Sequence, residues 1–313
     1  MIFRTLVALA ICVAIFVGAP FVGSALDGEQ GQFILWQLRV PRVVMGALVG
    51  STLGLTGAVY QTIFANPLAT PSTVGTTAGA ALGALFVLVF FPNISVGGLP
   101  IIAVAAFGGA LAVTGFISSI AASGRARIND VLLAGIAISL AAGALTTGIQ
   151  SQAGMDATFA SVRWALGHLA QVGFDGATLL APVVVITAVI LLAQIPALQA
   201  MVAGEDRAHA QGVNIRRVRT ICLGVGALGV GACVAWCGPI AFVGLIVPHI
   251  VRLTLGAARR VLLPASMVFG AAFLVLCDTI GRVIVPSQDL PVGVVTAALG
   301  APLLVALIVK RPT

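Results

Sequence analysis

The sequence predicts an all-α polytopic membrane protein with ten transmembrane helices, on three observations. Only 8% of the 313 residues are charged and 60% are hydrophobic, whereas an average soluble domain carries about 25% charged residues. The mean hydropathy is +1.16. Between Arg42 and Arg125, 82 residues pass without one Asp, Glu, Lys or Arg. At roughly 20 apolar residues per crossing, that stretch alone holds three crossings and their turns. The same figures exclude intrinsic disorder. The net charge of +7 does not point to nucleic acid, because the basic residues stand singly between apolar runs without interleaved aromatics.

Apolar runs divided by charge or by Pro, Gly and Asn place the spans at about 5–26, 43–64, 73–91, 100–122, 131–151, 177–198, 220–237, 239–256, 262–285 and 291–309. The first resembles a secretory leader: Arg4, an apolar run, then small residues at Gly23–Ala25. Its run from Thr5 to Val22 outlasts the usual 7–15 residues of a leader, so it reads as a retained first helix. Gly238-Pro239 is the only punctuation between spans seven and eight, where proline removes a backbone donor. Gly46, Gly50 and Gly54 repeat every four residues on span two, as do Gly75, Gly79 and Gly83 on span three. Such rows let helix backbones approach closely in lipid.

An even span count puts both termini on one side, and the Lys and Arg positions choose which. With both ends inside, Arg4, Arg125, Arg127, Arg207, Arg216, Arg217, Arg219, Arg252, Arg259, Arg260, Lys310 and Arg311 are cytoplasmic. Arg39, Arg42, Arg163 and Arg282 remain outside.

Familiar catalytic patterns are missing from the sequence. Its single lysine is Lys310, and no Gly-Lys-Ser/Thr occurs, so there is no P-loop. Neither a His-Glu-x-x-His nor a Gly-x-Ser-x-Gly motif is present. His168, His209 and His249 are too scattered to form a metal site. Five cysteines, Cys12, Cys222, Cys233, Cys237 and Cys277, fall in apolar segments, where packing explains them better than disulfides or ligation. Asp278 alone puts a carboxylate well inside a span, with Arg282 four residues on along the same face. Structural neutralisation and a transport role both fit this pair. One acid cannot serve a bare metal ion, which wants several oxygen ligands, so any metal cargo should cross wrapped in an organic ligand.

The polar residues within the spans are neutral. Thr52, Thr56 and Gln61 lie on span two, and Ser139, Thr146, Thr147, Gln150, Ser151 and Gln152 lie along or just past span five. With Gly143 and Gly148 beside them, the span-five group is the best guess for a pathway lining. The loop at about 199–219 is the most charged inside segment. Glu205, Asp206 and Arg207 suit the first turn of a short helix, Gly212 suits its end, and Asn214 could begin the next span. Either a solvated connector or a docking helix for a cytoplasmic partner fits that loop.

Five ordered blocks resemble the permease subunits of binding-protein-dependent ABC importers for iron chelates and cobalamin. They are Leu38-Arg39-Val40-Pro41-Arg42; Gly57-Ala58-Val59-Tyr60-Gln61 with Asn66-Pro67-Leu68-Ala69 and Pro71; Gly204-Glu205 with Ala210-Gln211-Gly212-Val213; Gly238 to Leu245 with Pro248-His249; and Leu290 to Thr296 with Gly300-Ala301-Pro302. The resemblance spans essentially the whole chain. Ala241 stands where the family usually has glycine. It implies the type II ABC importer permease fold, in a single domain over residues 1–313 with a cytoplasmic coupling loop at about 199–219.

The resemblance also implies roles and partners. Arg39 and Arg42, joined by Arg282, would dock a periplasmic or lipid-anchored substrate-binding protein. Asn66 and Leu68 would form the cytoplasmic gate. Thr146, Thr147 and Gln150 would line the pathway, with the gating helix near Thr147. Gly204, Glu205, Ala208, Gln211 and Gly212 would couple to two cytoplasmic ATPase subunits. ATP and Mg would bind at those subunits, and this chain would hold no cofactor or metal. A second permease copy, with a homodimer expected over a pairing with a paralogue, would complete the assembly in lipid at the bacterial inner membrane. The expected cargo is haem or a ferric siderophore, with cobalamin the alternative. An ion-coupled secondary transporter is a more distant alternative, disfavoured by the scarcity of intramembrane ionisable groups.

Overall fold

A computed structural model describes residues 2–23, 28–91, 95–96, 99–122, 128–285 and 289–309. Thirteen helices are found among the described residues. They are α1 (Ile2–Gly18), α2 (Gly28–Ile63), α3 (Thr76–Phe90), α4 (Ile101–Ala122), α5 (Ile128–Gln150), α6 (Met155–Ala165), α7 (Asp175–Ala193), α8 (Ile195–Val202), α9 (Glu205–Ala210), α10 (Ile215–Cys237), α11 (Val243–Thr254), α12 (Arg259–Val283) and α13 (Val292–Val309). A two-residue antiparallel ladder, Ser95–Val96 with Leu99–Pro100, leads into α4. Nine of the ten apolar runs predicted from the sequence each fall on one helix, and the run at 177–198 falls on two. Among the described residues, six helices are long and apolar enough to cross a membrane, and four apolar stretches are shorter: Leu6–Phe21, Thr76–Phe90, Val243–Thr254 and Val292–Ala306.

Three elements depart from the sequence reading. Span two begins fifteen residues early, so α2 runs 36 residues. Pro41 lies inside it and offers no backbone donor. The preceding turn, Ile34–Arg39, widens into a π-helix in which the Val40 N–H reaches back to Leu35 O. A π-turn absorbs such a break without ending the helix. Span six divides at Gln194, where Pro196 in the first turn starts α8 afresh. The amphipathic α6 lies in a segment read as an outside connector.

Helix α2 forms the centre of the bundle, with 83% of its most apolar window buried, against 17% for α5. Its glycine row explains this position. A Cβ at Gly50 would collide with the Gly270 carbonyl of α12, and one at Gly54 with the Ser266 carbonyl. On α3, a Cβ at Gly79 would collide with the Gly109 carbonyl of α4. Gly50 and Gly54 of one row and Gly79 and Gly83 of the other thus meet the predicted packing role by backbone-to-backbone contact. Between α10 and α11 the chain breaks where Gly238-Pro239 predicts. Gly238 adopts φ +69°, and the Cys237 carbonyl left at the helix end accepts the His168 N–H at 2.7 Å.

Candidate functional site: an arginine cavity and a displayed helix

The three docking candidates converge. Arg39 and Arg42 come from adjacent turns of α2 and Arg282 from the last turn of α12. All line one cavity of about 810 Å³, with Gln171 and Asp289 also on its wall. None projects freely into solvent, since Arg39 and Arg42 are buried at 7% and 9% exposure. Arg42 Nε lies 2.9 Å from both oxygens of Asp278, and its Nη1 lies 2.5 Å from Asp289. The predicted Asp278–Arg282 pair is present at 3.4 Å. Arg282 also donates to Ala19 O at 2.8 Å and to Thr279 Oγ1 at 3.2 Å. Arg39 donates to Pro20 O at 3.2 Å. Asp278 is therefore a shared counter-ion, the arrangement that lets charges persist at low dielectric.

The Arg42–Asp278 and Arg42–Asp289 pairs are absent from the sequence reading. Their partners stand 236 and 247 residues apart; the α2–α12 packing brings Asp278 to Arg42, and Asp289 reaches it from the segment before α13. The sole available signal was that Asp289 is a lone acid beside the Leu290-Pro291 block. Beside the cavity, between α6 and α7, burial together with Arg163 and Arg42 holds the His168 imidazole below its usual range.

The pathway candidates separate. Thr146 and Gln150 face α3 and α6, where Gln150 Nε2 donates to Ser161 Oγ at 3.0 Å. Thr147 is exposed and bonds its own backbone at Gly143 O, 3.1 Å. The gate candidates lie in the turn after α2. Asn66 Oδ1 accepts the Leu68 N–H at 2.9 Å, which pins the turn, while the Leu68 side chain is exposed at 47%.

The charged loop forms the short helix expected of it. Gly204 enters at φ +111° and Gly212 leaves at φ +79°. The Gly212 N–H reaches His209 O at 2.9 Å and the Val213 N–H reaches Ala208 O at 3.0 Å, closing the end as a Schellman motif. Glu205 pairs with Arg219 at 2.6 Å, fastening α9 to α10. Asn214 accepts the Arg217 N–H at 3.0 Å and caps α10. Ala208 is fully buried, and Glu205, Asp206, Gln211 and Gly212 are exposed. A rigid, charged helical knob is thus presented beside the bundle.

Two features lie partly or wholly outside the described residues. Arg125, Arg127, Lys310 and Arg311, used to orient the chain, are outside them, as are Ser24 and Ala25 of the leader-like segment. The five cysteines are all buried and none is in a disulfide.

An apolar helical bundle with a cavity of arginines on one part and a fastened charged helix on another defines a membrane transport permease. The chain belongs to the FecCD transport family, whose sequence profile matches residues 4–310. It is 38% identical to the cobalamin import system permease protein BtuC of Halobacterium salinarum over 284 residues, covering 90% of this chain and 75% of that one. It is 35% identical to the Fe(3+)-citrate import system permease protein YfmE of Bacillus subtilis, covering 92% and 86%. Its fold superimposes with a TM-score of 0.87 on an inward-facing metal-chelate-type ABC transporter, at 26% identity and with 98% and 99% of the chains covered.

Proposed function

We propose that this chain is the membrane subunit of an ABC importer that passes a metal chelate inward by alternating access. All ten apolar helices would cross the cytoplasmic membrane of a bacterial cell with both termini inside, and residues 1–313 would act as one permease domain. The observation that carries the reading is α9. Two left-handed glycines, a buried alanine and an ion pair hold a charged helix rigidly at the surface, and a helix so fastened can transmit a push to α10. ATP would be hydrolysed with Mg by two partner subunits docked on Gly204, Glu205, Ala208, Gln211 and Gly212.

Placement supports the remaining roles. An acidic side chain of a substrate-binding protein would enter the cavity of Arg39, Arg42 and Arg282. A second copy of this chain would face the exposed side of α5, which carries Thr147, and enclose the pathway, while Thr146 and Gln150 stiffen the wall behind. Asn66 and Leu68 would close its cytoplasmic end. The neutral lining suits a ligand-wrapped metal. A ferric siderophore or haem is the first reading, and the cobalamin permease among the relatives supports the second.

The test is uptake in cells lacking the chain. Complementation with the intact gene should restore accumulation of radiolabelled iron chelate, and a competing excess of cobalamin should leave it unchanged. Restoration of cobalamin uptake alone would select the second reading. Restoration of neither, with the protein present in the membrane, would reject the function.

A further inference from the structure

Two acids pair with the arginines of the cavity among the described residues, and the fold holds them in opposite ways. Asp278 projects from α12, is 2% exposed and accepts from Arg42 Nε with both oxygens at 2.9 Å. Asp289 stands outside any helix, between α12 and α13, with its side chain 58% exposed on the cavity wall. Its Oδ2 accepts from Arg42 Nη1 at 2.5 Å. The neighbouring Leu290 N–H is tied to Gly281 O at 3.1 Å. That bond keeps the Asp289 carboxylate at the cavity while more than half of the side chain meets solvent.

The two acids therefore differ in what their loss does. Removing Asp278 strands buried charge, whereas a solvent-exposed pair is weak and readily exchanged. Three arginines and two aspartates leave the cavity at +1, and with Asp289 withdrawn it stands at +2. Arg282, on the same wall, adds an unused donor. Its side chain is 8% exposed, and its Nη1 is buried without a hydrogen-bond partner. Guanidinium donors of this kind take carboxylates by preference. A spare donor beside an exchangeable carboxylate lets a second carboxylate enter in place of the first.

We propose that Asp289 is an internal competitor at this cavity: it neutralises the outer edge of Arg42 while the site is free and yields it to the carboxylate of an acidic partner. This rests on the docking of a binding-protein acid proposed above, and adds how that contact is let go. A carboxylate tethered beside Arg42 competes at the high effective concentration of an intramolecular group. The partner's acid thus gains only the difference between two similar pairs, so docking is weakened and the partner leaves sooner.

The complex of this chain with its ATPase, held in lipid nanodiscs, is titrated with the binding protein that supports its uptake, at low and at high salt. Asp289→Asn should tighten binding by about threefold or more, within the range of one exposed ion pair. It should also steepen the loss of affinity with salt, because one more positive charge is left uncompensated. Asp289→Glu keeps the competing charge and should stay near the wild-type affinity. So should Asp156→Asn, which removes a charge from α6 that is not on the cavity wall. Should Asp289→Asn accumulate poorly, Asp289→Ser gives the same reading. Arg39→Gln separates this inference from the docking it rests on. If Arg39→Gln weakens binding while Asp289→Asn leaves it unchanged or weakens it too, the competitor is rejected and the docking stands. If neither variant alters binding, the docking fails and the competitor with it. Equal tightening by Asp156→Asn would also reject the competitor, since net surface charge would then account for the gain.

Discussion

Asp278 carries more of the chemistry than any other residue in this bundle. It faces Arg42 from α2 and Arg282 from its own helix, and only 2% of it is exposed. Asp278→Asn removes the shared counter-ion and leaves two guanidiniums under-compensated, so it should cost about 3–5 kcal/mol. Thermal unfolding in detergent should show it, whereas Asp289→Asn, at a side chain that is itself 58% exposed, should cost about 1 kcal/mol or less. Comparable melting temperatures for the two variants would remove Asp278 from its central role. The network also changes how docking must be tested. Glutamate at position 42 would face Asp278 and Asp289 and break the fold, so Arg39→Gln with Asp289→Asn is the more readable pair. His168 gives a pH signature at the same scale. Its folded imidazole titrates below the unfolded value near 6.5, so the unfolded chain binds the extra proton. Stability should therefore fall as pH drops through 6.5, and His168→Gln should flatten that slope in pH-dependent unfolding.

At the scale of elements, α2 and α12 are held by backbone contact, and α9 by its two glycines. Gly54→Leu must push α12 away at the Ser266 carbonyl, which should abolish the folded protein in a fluorescence size-exclusion profile. Gly224→Leu is the control, since space is open around it. Gly212→Val forces a β-branched residue to φ +79° at about 1–3 kcal/mol, and no atom crowds it. The bundle should survive while ATP turnover and uptake lose their coupling. Retained coupling would count against α9 as the transmitting element. The sequence showed these elements unevenly. Glu205, Asp206 and Gly212 announced α9, and Asn214 the start of α10, because cap and turn chemistry is local. The glycine rows announced close packing but not the partner, since i, i+4 spacing marks a face and says nothing of what meets it. The early start of α2 stayed hidden because Gly28, Gln30, Gly31 and Gln32 look like a loop, and a π-turn before Pro41 leaves no compositional trace. Of the buried arginine network, Asp278–Arg282 was legible from its i, i+4 spacing, and the Arg42 pairs were not. Their acids lie more than two hundred residues from Arg42, and only the folded chain brings them together.

At the scale of the whole molecule, hydropathy alone indicated the helical membrane fold, because lipid leaves few ways to satisfy a backbone. The family was legible through its five ordered motif blocks. On the proposed reading, transport draws on hydrolysis in partner subunits, and α9 is the element that would receive it. The direct measurement is chelate uptake into proteoliposomes holding this chain with its ATPase and binding protein. The ATPase is compared in intact form and in a form that binds but cannot hydrolyse nucleotide. Uptake should follow hydrolysis and vanish with the inactive ATPase. Accumulation that continues without hydrolysis, driven by an ion gradient across the same vesicles, would contradict the account.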